Sequence, residues 1–182
     1  MKDGAFDNDE WVVEFSKGAY PGYDSDAVTP MCSSGPESDC VRPDDPNPPA
    51  PAKGWHFVWF GGIDYRHYQQ ITNNVTIPSG ATHLSLFVAA AAAEGVLPST
   101  TATFIVSVDG DVLLFIDKHV LSQLHDRYEN IDVALGKYAD DKYHSLTLKF
   151  FMEADGDEAS VIIDYLRFIR DTNRLLLLRF LM

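Results

Sequence analysis

The sequence predicts an all-β fold, a two-sheet antiparallel β-sandwich, from three observations. Beyond residue 55, apolar residues recur with period two in short runs, the pattern of strands that turn one face to a core. Gly, Pro, Asp and Ser interrupt those runs at intervals of about 8–12 residues, as they do in sandwiches. No long stretch carries helical periodicity, and a chain of 182 residues suits one domain with a single sizeable core.

The elements follow in order. Trp11-Val12-Val13-Glu14-Phe15 is a short strand; it cannot form a core alone and must join the sheets downstream. Residues 42–54 hold five of the ten prolines. Proline lacks a backbone donor, so this stretch is a surface loop rather than a strand. Trp55, Phe57 and Trp59 alternate with His56, Val58 and Phe60 before Gly61-Gly62. Apolar residues at both parities mark a strand buried on both faces. Residues 68–77 form a second strand, closed by Pro78-Ser79-Gly80, and Leu84, Leu86 and Val88 mark a third. The alanines that follow have high helix propensity but continue that strand and end at Glu94-Gly95.

Phe104, Val106 and Val108 lead into Asp109-Gly110, and Val112, Leu114 and Ile116 lead out. Asp-Gly between alternating runs is a strong hairpin signal, because a type I′ turn needs positive φ at both central residues. Residues 118–127 hold about one helical turn. Ile131, Val133 and Leu135 begin the last group of strands; Leu146, Leu148, Phe150 and Met152 continue it, and Val161, Ile163 and Tyr165, with Ile162, Leu166 and Phe168, complete the core. Residues 1–169 are thus expected to form the sandwich. Residues 170–182 are set apart as a leucine-rich apolar tail.

Twenty-seven acidic residues face fourteen basic ones, a net charge of −13. That balance excludes non-specific nucleic-acid binding, which needs Lys and Arg to displace counterions, and adhesion to anionic membranes. No apolar run reaches the roughly 20 residues of a bilayer span, and the polar Met1-Lys2-Asp3-Gly4 is not the apolar stretch of a leader. Glycine-rich phosphate loops, G-x-S-x-G and H-E-x-x-H are all missing, and the six histidines are scattered, so no catalytic constellation is expected.

The candidate site residues come from local chemistry. Tyr65, His67 and Tyr68 follow the Gly-Gly break beside Arg66; loop aromatics next to an arginine suit a binding surface, and flat rings suit the faces of sugars. Asp164 lies within an apolar strand, where a carboxylate is costly to bury without a partner. It either faces solvent or shares a hard cation with Asp7. Cys32 and Cys40 form a loop-closing disulfide or remain two thiols. Asn74-Val75-Thr76 is a glycosylation sequon. Asp155-Gly156-Asp157-Glu158 reads as a solvated turn, because it lacks the spacing of a calcium-binding loop.

Several pieces in sequence order resemble the galactose-binding-like jelly-roll domains that are similar to carbohydrate-binding modules of secreted multidomain proteins. They are Asp3-Gly4-Ala5-Phe6-Asp7 with Trp11, the Cys32–Cys40 loop, Trp59-Phe60-Gly61-Gly62, residues 75–82, Val108-Asp109-Gly110, and Ile163-Asp164-Tyr165-Leu166. The resemblance spans residues 3–169. It implies a non-catalytic module, outside the cell or on its surface, that binds carbohydrate or packs beside a neighbouring protein domain such as a secreted protease. It also implies a structural calcium at Asp7 and Asp164. The chain departs from the pattern in having Asp7 for a Glu and Tyr165 for a second Asp, and in its proline-rich insert and its tail.

Overall fold

The computed structural model describes residues 11–15, 31–33, 56–61, 66–91, 102–124, 127–153 and 159–170. The strands are β1 (Val12–Phe15), β2 (Met31–Ser33), β3 (His56–Gly61), β4 (His67–Thr76), β5 (Ala81–Ala91), β6 (Ala102–Val108), β7 (Asp111–Ile116), β8 (Glu129–Ala134), β9 (Tyr143–Met152) and β10 (Ser160–Arg170). They form two five-stranded sheets, ordered β1-β4-β9-β6-β7 and β2-β3-β10-β5-β8, with every pair antiparallel. The path crosses from one sheet to the other after β1, β3, β4, β5, β7, β8 and β9. Successive strands therefore lie in opposite sheets, except in the pairs β2–β3 and β6–β7, which are neighbours in one sheet. The expected all-β sandwich is what the chain builds.

Alternation does the packing. In β6 the pattern is strict: Ala102, Phe104, Val106 and Val108 are buried while Thr103, Ile105 and Ser107 are half-exposed. β9 repeats it with Leu146, Leu148, Phe150 and Met152. Facing them from the second sheet are Val58, Phe60, Leu84, Leu86, Val161 and Ile163. Each fully buried aliphatic or phenyl side chain contributes about 1.5–3 kcal/mol. β3 is buried at both parities, as its sequence requires. Val58 and Phe60 enter the main core, while Phe57 and Trp59 join Cys32, Ala89 and Ile162 in a second cluster on the other face of the sheet.

The Asp-Gly turn carries out its sequence signal. Asp109 and Gly110 both take positive φ, 51° and 85°, which makes the tight β6–β7 hairpin. Asp117 caps helix α1 (Lys118–Gln123): its carboxylate accepts the His119 and Val120 amides at 2.9 and 3.1 Å. β2 was not expected, since three residues carry no periodicity. β10 takes in Arg170, and the rest of the tail, the proline-rich loop and the Asp155–Glu158 turn lie outside the described residues.

Candidate functional site

Register assembles a broad outer face on the first sheet. One cross-strand row reads Glu14, Gln70, Lys149, Ile105 and Phe115. A second reads Tyr68, Phe151 and Thr103. A third reads Val12, Thr72, Thr147, Ser107 and Val112. Four strand gaps make a row of roughly 19 Å, room for a short oligomeric ligand.

The side chains on this face are coupled. Tyr68 and Phe151 meet with ring centroids 6.2 Å apart. The Lys149 ammonium sits 4.8 Å from the Tyr68 ring and 4.6 Å from the Phe151 ring, a double cation–π contact. Beside it Gln70 Nε2 donates to Glu14 Oε2 at 3.1 Å, and the Thr72 and Thr147 hydroxyls share a hydrogen bond of 3.1 Å. Val12, Val112 and Phe115 are more than half exposed. Val12 lies on edge strand β1 and Val112 and Phe115 on the opposite edge strand β7, so they flank the Tyr68–Phe151 pair at the two margins of this face. Here rings, aliphatic groups, an ammonium, a carboxylate, an amide and hydroxyls are interleaved.

The expected ligand residues separate. His67 and Tyr68 open β4 rather than lying on a loop, and adjacent strand residues point to opposite faces. Tyr68 therefore joins the outer face. His67 points inward and is only 4% exposed, its ring 5.7 Å from Phe150. The two cannot touch one ligand on one surface, and His67 is corrected to a core-facing residue. Tyr65 lies outside the described residues. Phe151, Lys149, Glu14 and Phe115 were not singled out in the sequence; the signal for Lys149 and Phe151 was their outward parity within the alternation of β9.

Asp164 is buried, 2% exposed, where β10 bulges between Asp164 and Arg167. Its Oδ1 accepts the Tyr165 amide at 2.6 Å. A carboxylate so placed is a chemically suitable oxygen ligand for a hard cation. Asp7 lies outside the described residues, and among those described no three His, Cys, Asp or Glu side chains gather as a metal site. Cys32 on β2 is buried, and Cys40 is outside the described residues.

No family model matches the chain, and no curated protein matches it in sequence. Solved structures do resemble it. A structure of TmCBM61 in complex with β-1,4-galactotriose superposes with a TM-score of 0.52 at 12% identity, covering 90% of each chain. A second comes from work on the promiscuous specificity of carbohydrate-binding modules of the β-sandwich superfamily. It gives a TM-score of 0.50 at 10% identity, over 88% of this chain and 57% of that one. The chain shares the two-sheet β-sandwich fold of these two structures. The jelly-roll resemblance drawn from the sequence pieces therefore holds at the level of the fold.

Proposed function

We propose that the chain is a non-catalytic carbohydrate-binding module and that the outer face of the β1-β4-β9-β6-β7 sheet receives the glycan. The Tyr68–Lys149–Phe151 cluster carries this reading. Sugar rings are apolar on their C–H faces and polar at their rims, and this face offers aromatic rings beside the Gln70–Glu14 pair and the threonine hydroxyls. The TmCBM61 complex, whose ligand is an oligosaccharide, supports the same ligand class. Tyr65 belongs to the proposal as a further contact.

Affinity electrophoresis and a glycan array test it. Tyr68→Ala and Phe151→Ala are each expected to weaken binding at least tenfold, which corresponds to about 1.4 kcal/mol, with the fold intact by circular dichroism. A blank array combined with tight binding to a neighbouring catalytic domain would favour a structural module instead, docked through exposed Val112 and Phe115 on the edge strand β7.

A structural calcium held by Asp164 and Asp7 is part of the proposal, as are the Cys32–Cys40 disulfide and an extracellular setting. Burial of the Asp164 carboxylate supports the first, and no cysteine is free among the described residues. Calcium that binds only the folded chain must raise its melting temperature, by about 2.7 kcal/mol of stability at one hundred times Kd. Calorimetry with millimolar calcium and with EDTA reads this directly. Equal melting temperatures in the two would remove the ion, and Asp164→Asn is expected to abolish the difference.

A further inference from the structure

The outer face of the second sheet carries another aromatic and polar cluster, away from the proposed glycan face. It forms at the β10 bulge, where Tyr165 takes a φ of +49°. That left-handed conformation costs an aromatic residue about 1–2 kcal/mol, and such strain persists where surrounding structure imposes it, often at binding sites. Here it accompanies a stack. The Tyr165 ring lies against Phe87 with centroids 5.7 Å apart and planes 27° from parallel. The Arg167 guanidinium sits 5.1 Å from the Tyr165 centroid.

Register completes the arrangement. Ser85 on β5 is paired with Arg167 on one side and Asp132 on the other, and Phe87 with Asn130. The Ser85 hydroxyl donates to Asn130 Oδ1 at 2.8 Å, and Asn130 Nδ2 donates to Asp132 Oδ1 at 3.0 Å. This chain of hydrogen bonds fixes the Asp132 carboxylate in a defined pose, in the cross-strand row it shares with Ser85 and Arg167 and one row from Phe87. Arg167, Asn130 and Asp132 are exposed, and both rings are half-buried.

We propose that Phe87, Tyr165, Arg167 and Asp132 form a second glycan contact, taking one neutral pyranose unit. Its C–H face lies on the ring pair, and its neighbouring hydroxyls donate to Asp132 and accept from Arg167. The proposal rests on the glycan reading of the chain and adds valency to it: two contacts on opposite sheets let one module bridge two glycan chains.

Amide chemical-shift mapping tests the site with neutral gluco-, galacto-, xylo- and manno-oligosaccharides as probes. Saturable shifts are expected at Ser85, Asn130, Asp132 and Arg167. They should persist in Tyr68→Ala protein and weaken at least tenfold in Arg167→Ala and in Asp132→Ala. Shifts confined to β4 and β9 overturn the second site and leave the first standing. Shifts on the second sheet that vanish with Tyr68→Ala also overturn it. No shift on either sheet with any probe overturns both.

Discussion

Gly61→Ala is expected to destabilise the protein by about 3–5 kcal/mol, a large share of the 5–15 kcal/mol typical of a domain. Three costs coincide at this residue. Its φ is +81°, where an L side chain costs about 1–2 kcal/mol. A Cβ would stand 2.1 Å from the Ala159 carbonyl oxygen, and that oxygen is backbone, so β3 or β10 must shift. The Gly61 amide also donates to Gln69 Oε1 at 2.6 Å in a buried bond. This bond ties β3 of one sheet to β4 of the other. A displacement that breaks it leaves buried polar atoms unsatisfied, at about 1–3 kcal/mol.

Gly110→Ala is the control. Its φ is nearly the same, +85°, but a Cβ there meets nothing within 4 Å. Only conformational strain remains, about 1–2 kcal/mol. At roughly 2–4 °C per kcal/mol for a chain of this length, thermal unfolding should separate the two variants clearly. Equal shifts in melting temperature would mean that the close approach at Gly61 contributes nothing beyond its dihedral angle.

The same residue shows what a sequence displays and what it hides. Gly61-Gly62 was legible as the end of β3, because glycine after an apolar run signals a break. Its contact with Ala159 was not, since the two residues lie 98 positions apart and meet only through the register of β3 on β10. The sandwich itself was readable because each strand declares its buried face by alternation. The candidate glycan face was half readable. Tyr68 was visible as an aromatic in a dense stretch, but Phe151 and Lys149 reach it only because β9 pairs with β4. The inward turn of His67 did leave a trace: it shares parity with buried Ile71 along β4, and that parity outweighs the local aromatic density that placed it on a loop. β2 left none, as a three-residue strand is specified by its neighbours.

Long-range pairing also creates the second large effect, a stability that declines as the solution becomes alkaline. His144 at the start of β9 has a side chain only 10% exposed. Its Nδ1 lies 2.7 Å from Asp109 Oδ2 in the β6–β7 turn, and its Nε2 lies 2.9 Å from Asp140 Oδ1 in the loop before β9. A neutral imidazole has one N–H and can satisfy one of these carboxylates, whereas the imidazolium satisfies both. The Asp109 carboxylate, then Asp140, therefore holds the His144 pKa above its ordinary value, against a smaller opposing effect of burial.

The surrounding groups are largely paired among themselves. Lys142 bonds the other oxygen of Asp140 at 2.8 Å. Asp111 accepts from Lys137 Nζ and the Tyr138 hydroxyl, and Asp141 accepts the Ser79 amide. The Tyr138 ring packs edge-on to the imidazole. A raised folded-state pKa places the stabilising contribution of His144 fully below the unfolded value, about 6.5, and removes it as pH rises through the folded value. Asp109 and Asp140 are lowered, so their contribution is present above the ordinary carboxylate range and fails only in strong acid.

The wild-type melting temperature should therefore fall by a few degrees between about pH 5.5 and pH 8.5. His144→Gln, which keeps hydrogen-bonding capacity without a titrating charge, should melt lower at the acid end and show a flatter profile. Asp109→Asn should lose part of the same slope, since one carboxylate then remains to favour the imidazolium. A wild-type profile that is level across this window, or one whose slope His144→Gln leaves unchanged, would show that the three segments are not joined through a charged imidazole.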